Sequence, residues 1–443
     1  MSTRSNQCAY RGWPLKGFCL ILFLSTVLLT LAVLFYLDPF YLGYGAFRVT
    51  RDLGPLKYTL IGLGMLVLEI AAFGLLKRDV WHRRLAGVAT FAGWPVYVLA
   101  LLTLSGSLYA RSAQGTVETF IPFSLSTVGF PLAVITYYSV SDSAVLVRRY
   151  FFLLFLALPY VIPMIVWKRM EGGQAFHSEI FLVLPLAQYV FLRSGSAWVR
   201  RTAVLCACAI ALALHKNIGY LSLLFCLVYM GVIAYSRSRR PQRSYAHRAA
   251  IGFLAFLMVA LAISGLAYIV SNRDVYLPTG NVEVRMELYE HALRKFSASP
   301  LFGDMFSDPT VVALERRIIL GRTHVTGHSD WFDVLAHGGL LGATLLALAI
   351  GRPLLFAWHV IRKQSDRSDH LDSLHVMFAI AVCGTIASMF VSLFLSLPAA
   401  FLYWYNLGLM IAVAAATLDS PAASQVAFST QLFRGQVSTV VKI

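Results

Sequence analysis

The stretch from His328 to Ile350 reads HSDWFDVLAHGGLLGATLLALAI, and it predicts the class of fold. From Leu340 onward it is almost purely apolar, and this character continues to about residue 360. An apolar run of about 20 residues crosses the roughly 30 Å hydrocarbon core of a bilayer as a helix. The start of the stretch is polar and carries two histidines. Ionisable side chains at the edge of a membrane helix are unfavourable unless they have a function, so this segment is the first candidate site.

Similar apolar runs recur from one end of the chain to the other. Of the 443 residues, 58% are hydrophobic and 13% are charged, whereas soluble domains carry about 25% charged residues. The composition excludes a soluble protein and predicts an all-α polytopic membrane protein with about twelve transmembrane helices. The predicted spans are 17–37, 57–76, 84–105, 119–139, 150–167, 178–193, 199–215, 218–235, 249–270, 333–360, 375–396 and 398–418.

The formal net charge is +16, and its distribution predicts how these helices are oriented. Lys and Arg are enriched in the cytoplasmic loops of membrane proteins. Here they concentrate at the N-terminus and in alternate connections, namely Arg4, Arg11, Lys16, Lys77, Arg78, Arg83, Arg84, Arg148, Arg149, Arg193, Arg200, Arg201, Arg237, Arg239, Arg240, Arg243, Arg248, Arg362, Lys363 and Arg367. Fewer lie in the other short connections. Both termini are therefore expected in the cytoplasm.

This orientation divides the chain into four parts. We expect nine transmembrane helices within 1–270, a large loop over 271–332 that contains short helices, three further helices over 333–418, and a cytoplasmic tail over 419–443. The large loop then lies outside, which in a Gram-negative cell is the periplasm. The predicted location is the bacterial inner membrane, with the active site on the periplasmic side.

The segment 236–248 is densely basic, with five arginines. A short basic segment between membrane helices is typical of an anchor against anionic lipids. Nucleic-acid binding is excluded as a function because neither an aromatic platform nor a folded binding module accompanies the charge. Membrane lipids are therefore the expected partner of this segment.

The large loop begins with a predicted amphipathic helix over Asn281–Phe296, in which apolar residues recur every three or four positions. Ser299-Pro300 is expected to end it, and Gly303 permits a turn. A second short helix is predicted over Pro309–Leu320. Acidic and basic residues nearly balance in this loop, so any anion site must be built from particular residues.

Three cations on the outer side are candidates for such a site. Arg285 lies in the loop helix, Arg322 precedes the histidine segment, and Lys216 lies in a short connection between two apolar helices. Snorkelling to the membrane surface is the structural alternative for each of them. Together with a nearby histidine, they indicate a site for an anionic group at the outer membrane surface.

These residues resemble a known family. His328-Ser329, nine residues, and Gly339-Leu340-Leu341-Gly342 are similar to the signature His-[Asn/Ser/Gln]-x9-Gly-x-x-[Gly/Thr/Tyr] of bacterial O-antigen ligases, in the O-antigen ligase and polymerase superfamily. The segment around Arg285, followed by Ser299-Pro300-Leu301-Phe302-Gly303, resembles the family's arginine-bearing loop helix and Pro-x-x-Gly turn. One departure is His215-Lys216, where family members commonly carry Ser-Arg. The lysine keeps the charge but loses the bidentate fork.

The resemblance implies transfer of a glycan from undecaprenyl diphosphate to an acceptor hydroxyl, which for a ligase belongs to lipid A-core. His328 would act as general base, which suits a poorly nucleophilic hydroxyl near neutral pH. Cations would stabilise the diphosphate as it leaves. The residues expected to take part are Arg285 and Lys216 first, then Arg322 and Arg48 or Arg51, with Asp330 orienting His328 or contacting a sugar and His337 as a rival base. No metal or cofactor is expected, because the outside loops contain no Asp-x-Asp motif.

Gly339 and Gly342 are expected to be structural and to let the following helix pack closely. Three other functions stay open from the residues alone. An O-antigen or exopolysaccharide polymerase would use the same lipid-linked donor. A transporter of lipid-linked glycan would carry charges in mid-span and paired halves with broken helices. A membrane glycosyltransferase with an acidic base would use Asp38 or Asp52 in the first outside loop.

Overall fold

A computed structural model describes residues 93–108, most of 123–155, 180–214, 217–237, 281–306, 329–364, 369–390 and most of 393–418. Over these ranges the chain is helical and contains no β-strand. The helices are α1 (Trp94–Leu108), α2 (Gly129–Ser139), α3 (Ile180–Arg193), α4 (Ala197–Leu214), α5 (Asn217–Arg237), α6 (Asn281–Ala298), α7 (Asp330–Lys363), α8 (Asp369–Phe390) and α9 (Leu397–Leu418). The expectation of an all-α fold is confirmed for this part of the chain.

Most of these helices are apolar throughout, as expected of helices that lie in a bilayer. In the described ranges, α7, α8 and the Ala400–Leu418 part of α9 are long and apolar enough to cross a membrane. Helix α6 is different, because it carries charged residues along its length. It confirms the amphipathic helix predicted over Asn281–Phe296 and ends at the predicted Ser299-Pro300 boundary.

The interior is built around α9, which packs on α2, α7 and α8. Two glycines allow the backbones of α2 and α9 to approach each other closely. A Cβ atom at Gly408 would collide with the carbonyl oxygen of Phe130, and one at Gly129 would collide with that of Phe401. Small residues at such crossings are how membrane helices gain packing contacts in the absence of a hydrophobic driving force.

A buried amide fixes the position of α9 relative to its neighbours. Asn406 is fully buried. The Tyr150 hydroxyl donates to Asn406 Oδ1 over 2.9 Å, and Asn406 Nδ2 donates to the Met377 carbonyl oxygen of α8 over 2.9 Å. Because an unpaired amide in an apolar interior is unfavourable, these bonds favour one register of α9.

Eight of the predicted spans, and part of a ninth, can be compared with helices of the structure. The spans predicted at 178–193, 199–215, 218–235 and 398–418 correspond to α3, α4, α5 and α9 within a few residues. The span predicted over 375–396 is α8, which begins and ends six residues earlier, and the span over 333–360 is α7, which is longer at both ends. Helices α1 and α2 lie within or beside 84–105 and 119–139. The spans at 17–37, 57–76 and 249–270, most of 150–167, and the helix at Pro309–Leu320 lie outside the described residues. The count of twelve and the four-part division therefore stay predictions.

Candidate functional site

The candidate site lies where the end of α6, the turn Pro300–Phe306 and the first third of α7 meet. The turn is compact and has an unusual backbone, because Gly303, Met305 and Phe306 have φ angles of 60°, 55° and 59°. The Phe306 N–H donates to Asp304 Oδ1 over 2.9 Å, which closes the turn on its own side chain. The Pro-x-x-Gly turn expected after Ser299 is therefore present.

The turn is seated in a break of α7. Gly339 has φ 59° and ψ −156°, so the helix is interrupted there. The N–H groups of Leu340 and Leu341, which a continuous helix would use internally, donate to the carbonyl oxygens of Pro300 and Leu301 over 2.8 and 3.0 Å. The turn thus caps the amino end of the following helical segment.

Only glycine fits at the two closest points of this junction. A Cβ atom at Gly303 would collide with the backbone of His337, and one at Gly339 would lie 2.6 Å from Gly303 N. Both glycines also have positive φ, a region that other L-residues rarely adopt. Gly339 therefore has a different role from the expected one, because it breaks the helix and admits a turn rather than only easing helix packing.

Three polar side chains form an ionic cluster at the junction. Lys295 Nζ of α6 lies 2.6 Å from Asp304 Oδ2, and His337 Nδ1 of α7 lies 3.0 Å from the same oxygen. Lys295 Nζ and His337 Nδ1 are 3.1 Å apart. The side chain of His337 is only 2% exposed, and those of Lys295 and Asp304 are each 18% exposed. The cluster therefore connects α6, the turn Pro300–Phe306 and α7.

The cluster controls the ionisation of Asp304. Burial alone would raise the pKa of this carboxyl group, but the hydrogen bonds and charges of His337 and Lys295 outweigh burial and hold the pKa below its ordinary value. Asp304 is therefore a carboxylate at neutral pH, and the charge of Lys295 is balanced locally.

An aromatic pair connects α6 to the first turn of α7. The rings of Tyr289 and Phe332 are stacked, with centroids 4.5 Å apart and planes 19° apart. Stacked aromatic pairs stabilise contacts beyond the area they bury. The middle of α6 is therefore held next to the beginning of α7.

The beginning of α7 is also anchored to the Phe390 end of α8 and to the α8–α9 connection. Ser329 is the N-cap of α7 and accepts a 3.5 Å bond from the Phe332 N–H. Both carboxylate oxygens of the buried Asp330 accept from the Phe394 N–H, at 3.1 and 3.0 Å. The indole Nε1 of Trp331 donates to Ser388 Oγ over 3.0 Å. The residues that directly follow His328 in the chain are thus held rigidly.

The structure describes three of the residues predicted from the sequence to form the site. Arg285 lies on α6, while Asp330 and His337 lie on α7. His328, Lys216, Arg322, Arg48 and Arg51 lie outside the described residues. Asp330 is bonded to backbone, so the described geometry gives it an anchoring role. Among the described residues, no group of three or more His, Cys, Asp or Glu side chains comes together that would hold a metal ion.

Lys295 and Asp304 were not predicted as members of the site. A weak signal existed, because an aspartate that follows a turn glycine often accepts a backbone bond within the turn. Nothing local identified Lys295 or His337 as its partners, since the three residues come together only through the break at Gly339.

One comparison with known proteins gives a match. Residues 202–347 match the family model described as O-antigen ligase. The matched segment contains α5, α6, the turn Pro300–Phe306 and the junction in α7. No curated protein matches the chain. The family resemblance inferred from the motif is therefore confirmed.

Proposed function

We propose that this chain, whose residues 202–347 match the family model described as O-antigen ligase, transfers a glycan from undecaprenyl diphosphate to a sugar hydroxyl of lipid A-core in lipopolysaccharide assembly. His328 is the proposed general base, and Arg285 and Lys216 are the proposed diphosphate-binding cations. Arg322, Arg48 and Arg51 are secondary candidates for the same cationic role.

The observation that supports this assignment best is the stack of Tyr289 on Phe332. Arg285 lies four residues before Tyr289, and His328 lies four residues before Phe332. Each of the two proposed functional residues is therefore close in the chain to the same fixed contact. This supports the proposal that they act on one substrate.

The chemistry follows from these roles. His328 accepts the proton of the acceptor hydroxyl as its oxygen attacks the anomeric carbon of the donor. The bond from that carbon to the diphosphate oxygen breaks, and the polyprenyl diphosphate leaves with the electron pair. Fixed cations stabilise the negative charge that develops on the diphosphate, so the reaction as proposed uses no metal and no cofactor.

His337 was the rival base, and its surroundings favour a positioning role. Its Nδ1 atom contacts both Lys295 Nζ, at 3.1 Å, and Asp304 Oδ2, at 3.0 Å, and its side chain is almost completely buried. A general base must come within hydrogen-bond reach of the acceptor proton. We therefore propose that His337 holds the turn against α7, and that Asp330 holds the first turn of α7.

The test is transfer of glycan by the purified protein in lipid vesicles, with a polyprenyl-diphosphate glycan as donor and lipid A-core as acceptor. His328→Ala should lower the rate by at least about 100-fold, because a general base typically contributes about 10²- to 10⁴-fold. His359→Ala is the control, since His359 is an exposed histidine of α7. His337→Asn keeps a donor near the position of Nδ1 and should retain most activity.

Near-normal activity of His328→Ala, or complete loss in a folded His337→Asn, would make the assignment of the base wrong. Lys216 stands where O-antigen ligases commonly carry an arginine. Because of this departure, a polymerase is the second candidate function. Its test is a second carrier-linked glycan offered in place of lipid A-core, because a polymerase extends that glycan and a ligase does not.

A further inference from the structure

The turn Pro300–Phe306 exposes large apolar side chains, although it belongs to a segment predicted to lie in water. Leu301, Phe302 and Met305 are 62%, 52% and 42% exposed, while Phe306 is buried beneath them at 2%. Three large apolar side chains exposed within five residues of one turn form a patch that soluble surfaces rarely carry without a partner.

The depth of the turn follows from the length of the helix that it caps. Residues 340–363 rise about 36 Å and α8 rises about 33 Å, at about 1.5 Å per residue. Either length is enough to cross a hydrocarbon core of about 30 Å. Arg362 and Lys363 mark one membrane surface at the end of α7. The break at Gly339, where the turn is attached, therefore lies at the opposite boundary of the hydrocarbon core.

Contacts between α1 and α7 place the turn at the same level along both helices. Near one end of α1, Gly106 packs directly against the Met305 carbonyl group. Near the other end, the Trp94 ring centroid lies 5.8 Å from the Arg352 guanidinium carbon. Trp94 and Gly106 are about 18 Å apart along α1, and Arg352 and Gly339 are about 20 Å apart along α7. The two helices run side by side, so the turn meets both at one level.

The first part of α7 agrees with this level. The Trp331 indole bonds to Ser388, close to the end of α8 at Phe390. Because Trp331 lies at the height of that end, residues 330–338 run across the ends of the membrane helices rather than extending far beyond them. Among the described residues, the turn is covered by α6 and α7 on its ionic side, and the side chains of Leu301, Phe302 and Met305 remain exposed.

The exposed patch is continuous with the membrane-spanning surface. Leu340 and Leu341 begin the spanning part of α7, are 49% and 39% exposed, and bond through their N–H groups to the turn itself. On its other side, the turn presents Asp304 to Lys295 and His337. An element with one apolar and one ionic side suits a membrane interface.

We propose that the turn Pro300–Phe306 is immersed in the bilayer, with Leu301, Phe302 and Met305 in contact with lipid acyl chains of the leaflet at the Gly339 end of α7. The turn anchors α6 to the membrane surface. The segment 271–332 then includes a membrane-inserted element. This proposal rests on the spanning helices and is independent of the transfer reaction.

Site-directed spin labelling tests the proposal. The six cysteines of the chain are replaced by alanine, Phe302→Cys is labelled with a nitroxide, and the protein is reconstituted in phospholipid vesicles. Collision with oxygen, which partitions into lipid, is compared with collision with a water-soluble nickel complex. Leu355→Cys is the lipid-facing reference, because Leu355 is 69% exposed within the spanning segment 340–363 of α7. Glu290→Cys, at an exposed position of α6, is the aqueous reference.

The ratio of oxygen to nickel accessibility at position 302 should be several-fold higher than at position 290 and should lie between the ratios at 290 and 355. Leu301→Cys is the second variant, and it should give the same ratio if substitution of Phe302 prevents folding. A ratio like that of position 290 would overturn the proposal by placing the turn in water. Low accessibility to both reagents would also overturn it, because protein and not lipid would then cover the patch.

Discussion

At the residue scale, Asp304 is the centre of the junction. Its carboxylate accepts from Lys295 and interacts with His337, so one side chain connects α6, the turn and α7. Hydrogen bonds to a charged partner in a partly buried site contribute about 1.5 to 3 kcal/mol each, more than neutral ones. Removing the charge of Asp304 would leave Lys295 without its carboxylate counterion.

We expect Asp304→Asn to lower the free energy of unfolding by about 2 kcal/mol. Asp369→Asn is the matched control, because Asp369 pairs with Arg193 but is 77% exposed, and exposed pairs contribute about 0–1 kcal/mol. Thermal unfolding of both variants in detergent measures the difference. Equal effects of the two substitutions would contradict the role of Asp304.

The effect of Asp304→Asn should also depend on pH. The pKa of Asp304 is lowered in the folded protein, so its stabilisation is complete above the unfolded-state pKa of about 3.9 and is lost as the pH falls through the folded-state pKa. The stability difference between wild type and Asp304→Asn should therefore be present at neutral pH and shrink in strong acid. A difference that stays the same in acid would contradict the proposed charge interaction.

At the scale of elements, α7 is two segments joined at Gly339. The segment 340–363 is the part that is long enough to span the membrane, whereas 330–338 carries His337 and the anchors to Ser388 and Phe394. The break lets one continuous stretch both cross the bilayer and place polar residues at its surface. The turn Pro300–Phe306 satisfies the backbone groups that the break would otherwise leave unpaired.

Gly339→Ala should destabilise the protein by about 2 kcal/mol or more, because positive φ alone costs about 1–2 kcal/mol for an L-residue and the added Cβ has no room. Gly351→Ala is the control on the same helix, where nothing lies within 4 Å of the added atom. It should be neutral or stabilising, since alanine is favoured in helices by about 0.5–1 kcal/mol. Equal melting temperatures of the two variants would contradict the importance of the break.

At the scale of the whole molecule, the contacts agree with helices that alternate in direction. The Arg193 guanidinium lies 3.3 Å from the Asp369 carboxylate, which connects the end of α3 to the start of α8. Both residues belong to connections that the charge pattern predicts to be cytoplasmic. The ends predicted to lie outside also meet each other, as in the contact of Gly106 with Met305.

Reporter fusions test this orientation. Alkaline phosphatase, which folds only after export, should be several-fold more active when fused after residue 280 than after residue 240. The reason is that the arginines of 236–248 favour the cytoplasm. Immunoblots of the two fusions control for expression. High phosphatase activity after residue 240 would reverse the predicted topology.

The sequence by itself predicted the class of fold and the resemblance to a family whose model matches residues 202–347. Three kinds of local pattern carried this information: the long apolar runs, the three- and four-residue spacing in Asn281–Phe296, and the motif from His328 to Gly342. Each pattern predicts the structure or the resemblance of its own segment. They were sufficient to predict α3, α4, α5, α6 and α9 within a few residues.

Only the tertiary structure decided how those segments meet. The break at Gly339, the pairing of Asp304 with Lys295 and His337, and the bond from Phe394 to Asp330 all join residues far apart in the chain. Hydropathy and periodicity describe which side chains are buried, but not which partner lies opposite. A buried polar group is satisfied by whichever donor or acceptor the packing brings within about 3 Å, so its role depends on the assembled helices.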